Sequence, residues 1–242
     1  MKLAIFDIDG TLTKTNKVDD ECFVEAFAKV LGIAEIDTDW AAYPHTTDQG
    51  ITLHVFREKL RRNPNETELA QFKRSFVNMM SEQYRFDSSG FAEVGGAAVA
   101  LSKLKQDSDW AVAIATGCWR ESASLKLQAA SLDTHGIPAA YAEDALSRED
   151  ILRAALARAL EHYEVSGFEK VVSIGDGVWD VRTAGHLGFA FLGVGSGESA
   201  AKLRQAGATQ VIADFSDYEQ LIKILVEAEV PSLDYFNLGA RE

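Results

Sequence analysis

The sequence predicts an α/β protein: a parallel sheet with helices on both faces, carrying an all-helical insert after its first strand. Three observations predict it. Short apolar runs at Leu3–Phe6, Trp110–Ala115, Val171–Ile174 and Phe189–Val194 each end at Asp, Thr or Gly. Segments of helical periodicity separate the later runs, which implies βαβ units and a sheet covered on both sides. From Val18 to Arg85 the pattern is helical throughout, with no alternating strand pattern.

The elements follow in order. Leu3–Phe6 reads as a buried strand closed by acids and a Gly-Thr turn. Cys22, Phe23, Phe27, Val30 and Leu31 keep to one broad helical face behind Asp19-Asp20. Ile51, Val55, Phe56 and Leu60 mark a second helix. Asn65 with Glu68 is a capping pair for a third, which carries Leu69, Phe72, Phe76, Met79 and Met80. Gly95-Gly96 leads into a helix through Leu101 and Leu104. The strand Trp110–Ala115, a helix, a short strand at Ala139–Tyr141 and an amphipathic helix over Glu149–Tyr163 come next. Val171–Ile174, a helix, Phe189–Val194, a helix, Gln210–Ala213 and a last helix complete the chain.

The 242 residues, 47% hydrophobic and 25% charged, suffice for one large domain or a core with a smaller insert. A net charge of −13 repels phosphate backbones and argues against nucleic-acid binding. It also requires an enzyme of anionic substrates to supply local cations. Cys22 and Cys118 match no zinc pattern and fit free thiols in a reducing compartment. Four apolar residues before Asp7 are too few for a signal peptide, and no run approaches the ~20 residues of a membrane span. A cytoplasmic protein without a membrane partner is expected. The five His are scattered and form no ligand pair.

In parallel sheets of this kind ligands bind beyond the carboxyl ends of the strands. Asp7/Asp9, Thr116/Gly117 and Asp176/Asp180 close three separate apolar runs, so the fold would bring them to one edge. Asp7 and Asp9, at i and i+2, share a strand face. Asp176 and Asp180, at i and i+4, can point the same way from a turn entering a helix. Four converging carboxylates need a proton or a cation between them. A hard cation with oxygen ligands, Mg²⁺ where phosphate is also present, resolves the repulsion.

These residues resemble the motifs of the haloacid dehalogenase superfamily, and of its phosphatase branch in particular. Asp7-Ile8-Asp9-Gly10-Thr11 is similar to the first motif, Ile114-Ala115-Thr116-Gly117 to the second and Gly175-Asp176-Gly177-Val178-Trp179-Asp180 to the fourth. The order and spacing cover nearly the whole chain. The resemblance implies a Rossmann-like core in which Asp7 attacks phosphorus to form an aspartyl-phosphate. Asp9 would protonate the leaving oxygen and then activate water. Mg²⁺ would be held by Asp7, the Asp9 carbonyl and Asp176, with Asp180 behind or acting through water. Thr116 and the Gly117 N–H would bind phosphate oxygens. The cation of the third motif is assigned to Arg148, with Arg153 and Arg158 as rivals on the following helix. Asp9 favours phosphate chemistry, because the family's dehalogenases lack an acid there.

The same resemblance makes residues 15–90 a helical cap and residues 1–14 and 91–242 the catalytic core, in the manner of phosphoglycolate phosphatases. Substrate contacts would come from cap loops, with Thr47 in Tyr43–Asp48 as the candidate; a helix N-cap at Thr47 or Asp48 is the alternative reading. Trp119 and Arg120 edge the pocket, or Arg120 is an exposed helix-start residue. Lys14 and Lys17 are hinge residues or plain exposed charges. Gly193-x-Gly195-x-Gly197 reads as a tight turn, since no acid follows at the spacing a dinucleotide site needs. The expected ligand is a small phosphorylated metabolite of unspecified identity, and oligomeric state is not readable. A phosphomutase or phosphotransferase would use the same residues. A receiver-like binding module would need only about half this length and no insert.

Overall fold

The apolar run Lys2–Phe6 forms β1 at the centre of a six-stranded, wholly parallel sheet with the order β3-β2-β1-β4-β5-β6. The others are β2 (Trp110–Ala115), β3 (Ala139–Ala140), β4 (Val171–Gly175), β5 (Ala190–Val194) and β6 (Gln210–Ile212). The computed structural model describes residues 1–232; positions 233–242, assigned above to the core, lie outside the described residues.

The side-chain period of two sorts each strand between two layers. Ala4, Phe6, Val112, Ile114, Val172 and Ile174 point to one face, against α4 (Ala97–Gln106) and α9 (Tyr218–Glu227). Leu3, Ile5, Ala111 and Ala113 point to the other, against Ile151, Leu152, Ala155 and Ala159 of α6 (Arg148–His162). The helices α7 (Val178–Leu187) and α8 (Gly197–Gln205) cover the β5 side through Val181, Ala184, Phe191 and Leu203. Both faces are therefore dry, and the Rossmann-like class expected from the sequence is the one observed.

Register explains why the polar strand ends meet. Phe6 is level with Ile114 on β2 and with Ile174 on β4. The residues just beyond these, Asp7, Thr116 and Asp176, therefore leave the sheet side by side. Sheet order also reverses here, because the chain moves from β1 outward to β2 and β3, then returns to the other side of β1 with β4. That break opens a crevice above the strand ends.

The chain leaves the sheet at Thr13 and returns at Glu93, where these two residues form an isolated antiparallel bridge. Between them lie α1 (Asn16–Leu31), α2 (Asp48–Leu60) and α3 (Glu66–Phe86), joined by short 3₁₀ turns and loops. Asn65 and Glu68 form the reciprocal capping box anticipated for α3. Phe23, Phe27, Phe72 and Phe76 form the buried centre of this layer. Trp119, which follows β2, inserts into the same cluster with its ring about 6 Å from Phe23, Phe72 and Phe76. Trp119 is thus shared core between the two layers and does not line the cavity between them.

Candidate active site

Asp7 ends β1, its N–H donating to Ile174 O across the sheet at 2.9 Å. Its carboxylate is buried; Oδ1 accepts no hydrogen bond and faces Arg148 Nη1 at 3.7 Å. Asp176 ends β4 and accepts from Asn16 Nδ2 at 2.8 Å. Asp180 lies in the first turn of α7, with one oxygen accepting from Gly177 N at 3.0 Å and the other from Arg148 Nη1 at 2.7 Å. Oxygens of Asp7, Asp176 and Asp180 all lie within 4.8 Å of one another. Gly10 makes that approach possible: at φ +67° it takes a left-handed turn, and a Cβ there would stand 1.9 Å from Asp176 Oδ2.

The electrostatics of this trio are incomplete. Burial pushes the Asp7 carboxyl up to about 7; Arg148 opposes the rise, and Asp180 and Asp9 add to it. Burial also holds Asp176 well above the carboxylate range, helped by Asp180 and Asp7. Asp180 is raised by burial against the pull of Arg148. Three carboxylates against one guanidinium leave two uncompensated negative charges. A buried, unbonded Asp7 oxygen among hard oxygen donors is the environment that Mg²⁺ completes. The residues present therefore fit that ion.

Arg148 opens α6, whose N-cap Ser147 accepts from Asp150 N. Its Nε donates to Thr46 O at 2.8 Å, and the guanidinium lies 5.6 Å from the Trp179 ring. The two rivals point elsewhere. Arg153 pairs with Asp150 on the surface, and Arg158 forks onto Asp144. Gly117 lines the cavity, and a Cβ there would come within 2.9 Å of Arg148 Nη2 and of Thr46 O. Thr116 is buried beside it and accepts from Cys118 N at 3.2 Å. Thr47 takes its helix N-cap reading and stands at the cavity wall. Its hydroxyl accepts from Gly50 N as the N-cap of α2 and donates to Leu146 O, while the residue lines the cavity. Arg120 is not brought in: it is exposed at the start of α5 (Arg120–Ala129), 4.2 Å from the Tyr141 ring, so its exposed alternative describes the geometry. Lys14 and Lys17 are exposed as well.

Asp9 belongs to a second group. Its Oδ1 accepts from Thr15 Oγ1; its Oδ2 accepts from Lys126 Nζ at 2.6 Å and from Cys118 Sγ at 2.8 Å. Lys126 lies on α5, fully buried, and also meets Asp19 Oδ1 of α1 at 2.5 Å. Burial would raise Asp9, but Lys126, Cys118 and Thr15 outweigh it and hold the carboxyl below its ordinary range. Burial leaves Asp19 well above its range in spite of Lys126. Asp48, in the first turn of α2, accepts from Trp119 N at 2.8 Å and is pushed up to about 6 by burial.

Sequence reasoning missed Lys126, Asp19 and Asp48. A signal existed for the first. The buried face of α5 is Ser122, Ala123, Lys126 and Leu127, so Lys126 occupies an apolar phase of its helix. Asp19 shares the phase of Cys22, Phe23 and Ala26 in the same way.

Together these groups enclose a cavity of about 160 Å³ between the strand ends and the helices of the insert. Among its lining residues the acids are Asp7, Asp9, Asp19, Asp20, Asp48 and Asp176, and Arg148 is the one cation. Among the described residues no helix is long and apolar enough to cross a membrane.

A family model described as haloacid dehalogenase-like hydrolase matches residues 1–188. Sequence comparison with curated proteins finds no match. Among solved structures, a hydrolase from Pseudomonas syringae superposes with a TM-score of 0.70 at 19% identity, over 92% of this chain and 98% of that one. CbbY from Rhodobacter sphaeroides, in complex with phosphate, gives 0.62 at 20% identity, over 89% and 95%. A phosphonoacetaldehyde hydrolase-like protein from Oleispira antarctica gives 0.62 at 17%, over 95% of each chain.

Proposed function

The chain belongs to the haloacid dehalogenase-like hydrolases, and from that premise we propose that it hydrolyses a small phosphate monoester through a phosphoryl group carried on Asp7. The observation that carries this reading is the buried, unbonded Asp7 Oδ1, directed toward Arg148 and grouped with Asp176 and Asp180. We place the catalytic core at residues 1–14 and 91–242 and the cap at 15–90. The free, buried Cys22 and Cys118 support a cytoplasmic location.

Asp7 Oδ1 is the attacking atom, and a carboxylate nucleophile divides a slow displacement into two steps. Arg148 offsets charge on the transferring group from a position fixed by Thr46 O and Asp180. The Gly117 N–H and Thr116 orient the phosphate oxygens. Asp9 gives a proton to the leaving oxygen, then takes one from the water that attacks Asp7-phosphate. Mg²⁺ would be held by Asp7, the Asp9 carbonyl and Asp176, and it supplies the positive charge that lets an anionic nucleophile meet an anionic ester. Both Asp180 oxygens are already engaged, so Asp180 contributes chiefly by fixing Arg148 and by its charge.

A cavity of about 160 Å³ with one lining cation favours a compact substrate bearing a single phosphate. A phosphomutase would use the same side chains, and differs only in whether water or a substrate hydroxyl receives the phosphoryl group. The test is a phosphate-release screen over phosphorylated metabolites, with Mg²⁺ and with chelator. Release from at least one ester with Mg²⁺ and loss in chelator are expected. Inactivity on every ester, or equal rates in chelator, would remove the reading.

A further inference from the structure

A lysine with no exposed surface, lying beside the proton-transfer residue but outside the cavity, has no role in the chemistry described so far. Lys126 Nζ lies 2.6 Å from Asp9 Oδ2, 2.5 Å from Asp19 Oδ1 and 3.2 Å from Cys118 Sγ. It donates to Asp9 Oδ2 and Cys118 Sγ, and Asp19 Oδ1 stands opposite as its second ion-pair partner. An ammonium this deep costs several kcal/mol in desolvation unless it is paired. The pairing here falls on Asp9, both of whose oxygens are held in place: Thr15 Oγ1 donates to Oδ1, and Lys126 and Cys118 donate to Oδ2. Cys118 and Lys126 belong to β2–α5 of the sheet layer. Thr15 is the N-cap of α1 and Asp19 lies in its first turn, so these two belong to the insert. Lys126 therefore joins the two layers at the atom that must hand over a proton.

We propose that Lys126 is a positioning residue for proton transfer: it fixes the orientation of the Asp9 carboxylate and ties it to the cap helix α1 through Asp19. The proposal rests on the phosphatase reading. It makes Lys126 matter in proportion to how much the leaving group needs a proton. An aryl oxide such as p-nitrophenolate departs with little help. Phenolate needs more, so loss of aim at Asp9 penalises phenyl phosphate selectively.

The experiment measures kcat/KM with Mg²⁺ for aryl phosphates from p-nitrophenyl to phenyl, in wild type, Lys126→Met, Asp9→Asn and the double variant. This parameter ends at leaving-group release, so the later attack of water does not enter it. Lys126→Met is expected to lower the phenyl phosphate value about 10²-fold, within the usual range of general-acid contributions, and the p-nitrophenyl value by about 10-fold or less. Added to Asp9→Asn, it is expected to change either value by about 2-fold or less, because two residues acting as one unit are non-additive. A uniform fall across the series, or full additivity in the double variant, overturns the proposal. Lys126→Met leaves Asp9 and Asp19 without their shared cation, so Lys126→Met/Asp19→Asn, which removes opposite charges together, carries the same expectation if the single variant does not fold. Wild type that releases phosphate from no ester, aryl or metabolite, would instead overturn the phosphatase reading itself, and this proposal with it.

Discussion

Two acidic clusters share one cavity and are completed in opposite ways. At the ends of β1 and β4, Asp7, Asp176 and Asp180 have only Arg148 between them, and burial raises all three carboxyl pKa values. At the last turn of α5, Asp9 and Asp19 enclose their own cation, Lys126, and Asp9 is lowered. Counted the same way, the first cluster sets three carboxylates against Arg148 and leaves an Asp7 oxygen buried and unbonded, whereas the second sets two carboxylates against an ammonium within ion-pair distance of both. The difference teaches that the two clusters are told apart less by the number of carboxylates than by how far the chain's own cation matches them.

The largest expected effect breaks the first cluster. Arg148→Ala should lower turnover about 10³-fold, the scale of losing a cationic contact to a transferring phosphoryl group. Steady-state phosphate release checks it, with circular dichroism to confirm folding; near-normal turnover would remove the assignment of Arg148.

A smaller effect concerns the ion alone. A ligand that binds the folded state at 100 times its Kd adds about 2.7 kcal/mol, which is roughly 5–10 °C in Tm for a chain of this size. Mg²⁺ should therefore raise Tm by about that amount in wild type, and Asp176→Asn should remove most of the shift. Lys126→Met/Asp19→Asn should keep the shift, because neither Lys126 nor Asp19 is among the groups that would hold the ion.

The smallest effect sharpens the account of the second cluster's surroundings. Asp20 accepts from Trp40 Nε1 at 2.8 Å, and its carboxyl is pushed up to about 6, chiefly by burial. The folded state then binds more protons than the unfolded one between about pH 4 and 6, so this carboxyl costs stability as pH rises through that window. Asp20→Asn, which can still accept from Trp40, should raise Tm modestly above pH 6 and not at pH 4. Thermal melts at both values check it; an equal gain at both would mean that the charge is not the cause.

Legibility in the sequence divides along a similar line. β1, β2 and β4 were readable because each is a mainly apolar run closed by a polar turn, and sheet register then carries Asp7, Thr116 and Asp176 to one edge. Such information is local, and so is the Asn65–Glu68 capping box. Arg148 was readable as a helix-start cation, but its preference over Arg153 and Arg158 depends on where Thr46 and Asp180 sit in space. Lys126 and Asp19 were not paired, because the contact joins α1 to α5 across more than one hundred intervening residues. Only their apolar helical phase hinted at burial. Trp119 looked like a pocket residue by proximity to Thr116, yet its ring belongs to the aromatic cluster of the insert. Arg120, one position further on, faces solvent.

The central claim is that Asp7 carries the phosphoryl group. Asp9→Asn should slow hydrolysis of that group and let it accumulate, so the measurement is acid-quenched turnover of this variant with p-nitrophenyl phosphate and Mg²⁺, followed by peptide mass spectrometry. The account predicts one phosphoryl group on the peptide containing Asp7, absent in chelator and absent in Asp7→Asn. Phosphoryl transfer to any other residue, or phosphate release that persists in Asp7→Asn, would contradict it.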